Sequence, residues 1–232
     1  MTKKASCRLT GIDLFSSVPV DVLSQLERSC KWKWYGVSEQ VIDQHSDSQD
    51  VFFVIEGRVR IVNYSIFGRE ITLDDIKAGH HFGELAAIDK KPRSASVISL
   101  VPSLLAIMPA RSFFWVLYSY PEVSMKQMKN LTRIIRESTD RIMELSTLAA
   151  KNRVQAELLR QAKDGASKGN KAEISPVPIH GDIASRVSTT RETVARVLGQ
   201  LAHRGIIERR KEVLIIHDVL KLEELVTKVK GG

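Results

Sequence analysis

The sequence predicts an α+β chain in three parts. These are an N-terminal β-roll, a long helix that pairs with a copy of itself, and a C-terminal helix-turn-helix with a β-hairpin wing. Three observations carry this. Between about 33 and 110, short apolar or alternating runs are punctuated by turns. After Pro121, apolar residues recur at alternating steps of three and four. From 180 to 218 the pattern reads helix, turn, helix, hairpin.

In chain order, residues 12–30 are expected to be helical, with Ile12, Leu14, Val20, Val22, Leu23 and Leu26 available for one buried side. VFFVI at 51–55 is continuously apolar, as a buried strand is, and Glu56-Gly57 reads as a turn. Val59 and Ile61 then alternate with Arg58 and Arg60 as in a half-buried strand. Phe67-Gly68 and Ala78-Gly79 punctuate further segments, and SASVIS and SLLAIM supply two more strands. Short strands with closely spaced turns indicate a β-barrel or roll over 1–120.

Met128, Leu131, Ile135, Ser138, Ile142, Leu145 and Ala149 form a heptad seam, and a parallel dimer is expected along it. Ser138 is a polar step in that seam, followed by Thr139. Such a step is retained either for register or because something polar binds there. Residues 121–150 are therefore the dimerisation helix and its hinge, the hinge near Thr147–Asn152. DGASKGNKAEISP at 164–176 reads as a surface loop.

In the third part, 151–232, Ile183, Ala184 and Val187 mark a first helix. Val194, Val197, Leu198 and Leu201 mark the buried face of a second. Arg191, Glu192, Ala195, Arg196 and Gly199 then share the opposite face. Arg donates two bonds to guanine and Glu accepts from cytosine, so this face suits a major groove. Two such readers meet half-sites roughly 34 Å apart. The competing reading of Glu192 is a capping box formed with Thr189 at the helix start.

Composition narrows the class. The chain has 232 residues, 43% hydrophobic and 27% charged, and carries a net charge of +8. Residues 1–152 hold 20 basic and 17 acidic side chains, a net +3, and residues 153–232 hold 15 and 10, a net +5. A basic C-terminal third suits a polyanion. The chain has no membrane-length apolar stretch, and its N-terminus lacks a signal-like apolar core, so the cytoplasm is the expected compartment. Cys7 and Cys30 are too few for a disulfide scaffold or a cluster and read as plain thiols. Without a Walker loop, nucleophile elbow or metal motif, no enzyme and no metal are expected.

Four stretches resemble the cAMP receptor protein (CRP/FNR) family of bacterial regulators. They are the EGRVRIV turn-strand, the FGELA…PRSAS segment, the long helix with ESTD, and TRETVAR. The resemblance covers nearly the whole chain, and Ala195 stands where Gly is common in the family. FGELA…PRSAS is similar to the phosphate-binding cassette of cyclic-nucleotide domains. It implies a ligand site of Gly83, Glu84, Leu85, Ala86, Arg93 and Ser94, and the likeness of the long helix with ESTD implies that Ser138 and Thr139 contact the base, one in each subunit. TRETVAR implies DNA contacts from Thr190, Arg191, Glu192 and Arg196.

The chemistry agrees with these assignments. Arg93 is suited to a charge-assisted, bidentate bond to a phosphate, with Ser94 as a further donor and the N–H groups of a short helix near Glu84–Ala87 beside it. An ionised Glu84 only accepts, so it suits a ribose 2′-hydroxyl, and Gly83 allows close backbone approach. The resemblance thus implies a homodimeric transcription regulator with cAMP as allosteric ligand, and cGMP left open. Palindromic double-stranded DNA is its expected partner, and RNA polymerase stays open as a further partner at 164–176. A haem or redox sensor using His80-His81 on the same scaffold, and a ligand-independent repressor, are the alternatives.

Overall fold

The computed structural model describes residues 7–230, and they form two compact units that divide between Ile134 and Ile135. The first opens with two 3-10 turns, Arg8–Gly11 and Asp13–Phe15, and then α1 (Val20–Ser29). Residues 12–30 are thus not one helix. Pro19 precedes α1 with φ −58° and ψ 144°, an extended conformation outside the helical region. Ile12, Leu14 and Phe15 still reach the core, each at most 3% exposed.

Eight strands follow: β1 (Lys31–Tyr35), β2 (Gln40–Ile42), β3 (Val51–Glu56), β4 (Arg58–Tyr64), β5 (Glu70–Lys77), β6 (His81–Phe82), β7 (Ser96–Ser99) and β8 (Ser103–Met108). A short helix, α2 (Glu84–Asp89), interrupts them between β6 and β7. They make two antiparallel sheets, ordered β1-β8-β3-β6 and β2-β7-β4-β5. Phe52, Val54, Phe82 and Leu105 of the first share a core with Ile42, Val59, Ile76 and Val97 of the second. Val51 and Phe53 point the other way, into a cluster with Phe15, Leu23, Phe113 and Val123. That is why VFFVI is apolar without alternation: β3 is buried on both faces.

Arg60 departs from its expected place on the solvent side of β4. It is buried and pairs with Asp75 on β5, Nε and Nη2 donating to the two carboxylate oxygens at 2.8 and 3.1 Å. The turn at Gly57 (φ +90°) joins β3 to β4. A Cβ there meets the Ser103 side chain and the Pro102 carbonyl oxygen, the latter at 2.6 Å. Gly57→Ala is expected to cost about 1–3 kcal/mol, read as a lower urea midpoint at unchanged slope.

After α3 (Ala110–Ser119), the long helix α4 (Pro121–Thr147) gives its first half to the first unit and its second half to the other. Seam residues Met128, Ile135, Ile142 and Leu145 are exposed, Ile135 at 65% and Ile142 at 62%. Ala149 does not belong to that helix. It has extended backbone (ψ 153°) and caps α5 (Ala150–Asp164), so the chain breaks where the hinge was expected.

The second unit continues with β9 (Ala166–Lys168), β10 (Lys171–Ile174), α6 (His180–Arg186), α7 (Arg191–His203), β11 (Ile207–Arg209), β12 (Leu214–Ile216) and α8 (Val219–Lys230). Residues 164–176 hold a hairpin rather than a plain loop. Ala172 and Ile174 are buried while Lys171 and Glu173 face out, and β10 pairs with β12 in a sheet ordered β11-β12-β10-β9. Ile183, Val194, Val197, Leu201 and Ile216 meet in this unit's core with Val154 and Leu158 of α5. Among the described residues, no helix is long and apolar enough to cross a membrane.

Candidate functional site

Gly83, Glu84, Ala86 and Arg93 come together at the start of α2. Gly83 caps the helix in the left-handed region (φ 85°, ψ 4°). A Cβ on it approaches Arg93 Nη1 to 2.8 Å and the Asp50 carbonyl to 3.2 Å. Glycine here makes room for the arginine, whose Nη1 donates to the Gly83 carbonyl at 2.9 Å.

The remaining bonds of Arg93 come from a segment 45 residues upstream. Nη2 donates to the Asp50 carbonyl at 2.8 Å and to Ser48 Oγ at 2.9 Å, and Nε donates to the same hydroxyl at 3.1 Å. The guanidinium also lies over the Phe52 ring, 5.5 Å from its centroid. Arg93 is 4% exposed, and burial lowers its pKa while Asp50 and Glu84 pull the other way. Ser48 and Asp50 are site residues that sequence reasoning missed. Nothing in a short polar run signals a partner so distant in the chain.

Glu84 is 5% exposed. Burial pushes its carboxyl above the ordinary range, against its own backbone N–H and the positive charges of Arg93 and Arg133. Leu85 and Ser94 are exposed, and the Ser94 carbonyl accepts from Asn63 Nδ2 at 3.4 Å. Ser138 and Thr139 lie exposed on the part of α4 that belongs to the second unit, where Thr139 Oγ1 donates to the Ile135 carbonyl at 2.9 Å.

The two histidines beside the cassette have protein partners. His81 Nε2 is 2.7 Å from Gln127 Oε1, and His80 Nε2 is 3.6 Å from Asp13 Oδ2. Burial holds His81 at about 4, below its ordinary 6.5, although the Gln127 bond pulls upward. As the pH drops through 6.5 the unfolded chain takes a proton here that the folded chain refuses until about 4. Stability is therefore expected to fall over that window, by at most about 3 kcal/mol. Urea midpoints at pH 7 and 4.5, with a smaller fall in His81→Gln, check this. Cys30 is pushed up to about 12 by burial and stays a protonated thiol.

On α7, Arg191, Glu192, Ala195, Arg196, Gly199 and Gln200 are exposed while Val194, Val197 and Leu201 are buried. The helix is capped by Thr190, whose Oγ1 accepts from the Thr193 N–H at 3.3 Å. The capping box with Thr189 is therefore not formed. Thr189 is buried before the cap, and Glu192 holds the second helical position rather than the third. Its carboxyl stays below the ordinary range because its own N–H and the Thr190 hydroxyl bond it. Arg191 lies against Gly181 of α6, where a Cβ comes within 3.0 Å of Nε. Beside this face, a cavity of about 560 Å³ opens between α5 and α7, lined by Lys151, Gln155, Arg196, His203 and Arg204 among others.

Arg153 ties the end of α4 to the turn between α6 and α7. Nη1 donates to the Leu148 carbonyl at 2.7 Å, Nε to Val187 at 2.9 Å and Nη2 to Ser188 at 3.2 Å.

A cyclic nucleotide-binding domain model matches residues 33–120, and a Crp-like helix-turn-helix domain model matches 152–225. The chain belongs to the CRP/FNR family of transcriptional regulators. It is 28% identical to the Cyclic AMP receptor protein of Thermus thermophilus over 82% of this chain and 86% of that one. Identity to the CRP-like cAMP-activated global transcriptional regulator of Mycobacterium tuberculosis is 24%, over 92% and 96% of the two chains. A solved CooA mutant from Carboxydothermus hydrogenoformans shares the fold, with a TM-score of 0.78 at 21% identity over 97% of each chain. This regulator thus joins a cyclic-nucleotide-binding domain to a helix-turn-helix domain.

Proposed function

We propose that this regulator is a homodimer that binds cAMP, with cGMP as the competing ligand, and then binds palindromic promoter DNA. The burial of both Glu84 and Arg93 beside a glycine-capped helix, near enough for each charge to act on the other, carries the reading. The cAMP in the names of the Thermus and Mycobacterium relatives supports the choice of base. In this reading the sensor is 1–120, the coupling helix 121–150 and the reader 151–232, working in the cytoplasm without catalysis.

Arg93 takes the cyclic phosphate, helped by Ser94 and the N–H groups of Leu85 and Ala86, and Glu84 accepts from the ribose 2′-hydroxyl. Ser138 and Thr139, one from each subunit, meet the base at the polar step of the seam. A hydroxyl donates and accepts, so the pair serves an amino or an oxo group. The exposed isoleucines of α4 supply the pairing face. A shift at its end passes through Arg153 to the turn ahead of α7. Coupling of this kind is worth about 1–3 kcal/mol.

Isothermal titration of the full-length protein with cAMP and then cGMP tests the reading. Saturable binding of one of them is expected, and heat from neither overturns it. Ser138→Ala with Thr139→Ala is expected to weaken that binding about tenfold and to blunt nucleotide-dependent DNA binding by a similar factor. Unchanged values for both remove the helix hydroxyls from the mechanism.

A further inference from the structure

The edge of Arg93 that a phosphate would use is already occupied. Nε–H and one Nη2–H form the parallel pair of donors that a guanidinium offers to a two-oxygen anion. Both point at a single neutral oxygen, Ser48 Oγ, at 3.1 and 2.9 Å. The Asp50 and Gly83 carbonyls take two further N–H groups, so four of the five donors are engaged by the chain itself.

Ser48 is exposed, on the irregular stretch between β2 and β3. Apart from the Arg93 side-chain bonds to Ser48 and Asp50, that stretch is held at its start. The Gln44 N–H donates to Ser96 Oγ at 3.1 Å, the His45 N–H to Asp43 Oδ1 at 2.8 Å, and the Arg93 N–H to the Ser46 carbonyl at 3.3 Å. Among the described residues, Ser48 Oγ accepts from Arg93 and has no acceptor for its own proton.

We propose that Ser48 is a displaceable occupant of the Arg93 phosphate edge and sets nucleotide affinity by competition. A hydroxyl is a neutral acceptor, and bonds to a charged acceptor are roughly twice as strong, so a phosphate monoanion wins the exchange. Winning requires Ser48 to leave, and the lost bonds subtract from binding. The hydroxyl meanwhile keeps a buried guanidinium satisfied and aimed, which an empty edge does not. Ser48 therefore tunes affinity where Arg93 supplies it. The inference rests on the reading of Arg93 as the phosphate ligand.

The test is a cAMP titration of the full-length protein beside Ser48→Ala and Ser48→Asp. Ser48→Ala is expected to bind about fivefold more tightly. Ser48→Asp, which puts a carboxylate in the edge, is expected to bind at least fiftyfold more weakly. Unchanged or weaker binding by Ser48→Ala overturns the proposal, because Ser48 then donates to the ligand or stays clear of it. A second measurement separates this from the wider reading. The Arg93 Nε–H proton, assigned by its loss in Arg93→Leu, is expected to exchange with water several-fold faster in Ser48→Ala. Equal exchange shows that Ser48 does not hold the edge. Absence of binding of both cAMP and cGMP by the unaltered protein together with faster exchange overturns the nucleotide reading and, with it, the competitive role of Ser48.

Discussion

Arg93→Leu is expected to weaken cyclic-nucleotide binding at least a hundredfold, about 3 kcal/mol. The guanidinium is the buried cation of the cassette and would be the ligand's charged partner. Leu removes the charge and both parallel donors together, so the phosphate would be desolvated without a partner. A second effect follows inside the protein. Glu84 is already pushed upward by burial, and Arg93 is one of the charges opposing that push. Without it the carboxyl rises further. A carboxyl raised in the folded state costs more stability as the pH climbs above its unfolded value of about 4.5. Arg93→Leu is therefore expected to be more destabilised at pH 7.5 than at pH 5, and an added Glu84→Gln removes that slope. Arg93→Lys keeps a point charge but not the planar pair, and should fall between the two in affinity. Titration calorimetry for binding and urea melts at two pH values check both halves. Binding by Arg93→Leu within tenfold of the unaltered protein places the phosphate elsewhere.

The cassette was legible because its chemistry is local. Gly83, Glu84 and Arg93 lie within eleven residues, and each type is restricted by what it must do. Gly83 carries a further demand that the local pattern does not show, since a Cβ there would crowd Arg93 itself. Ser48 and Asp50 were invisible for the opposite reason: their partner is long-range and they meet it through one hydroxyl and one carbonyl. Arg60 looked solvent-facing because alternation reports the pleat and not what covers it, and Asp75 neutralises it under that cover. The hairpin at 166–174 hid because its alternation lasts one strand, KAEI, and its pairing partner is β12, forty residues on. The α7 pattern held because a 13-residue helix repeats its period three times. Helix α4 carries the three-four spacing as far as Leu145, while Ala149 lies outside it, where the spacing continued but the backbone had already turned extended.

On the recognition helix, Arg191→Ala with Arg196→Ala is expected to cut affinity for the preferred site by about 10² to 10⁴, at about 1–3 kcal/mol for each bidentate base contact. The two arginines are exposed on one face of α7, on a helix start pinned by the Thr190 cap. Arg191 leans on Gly181 of α6, which fixes where its long side chain leaves the surface. Arg196 borders the cationic cavity with Lys151, His203 and Arg204, a setting that also suits a backbone phosphate. The two roles differ in their signature. Loss of a base contact falls on the preferred sequence and relaxes one position, while loss of a phosphate contact falls on all sequences and reduces the salt slope by about one. Anisotropy titrations of single variants, on preferred and scrambled duplexes at several salt concentrations, separate them. Arg191→Ala is expected to lose discrimination, and Lys151→Ala to lose affinity evenly. If Arg196→Ala behaves like Lys151→Ala, the specificity of α7 rests on Arg191 and Glu192 alone, and the reading face is one helical turn long.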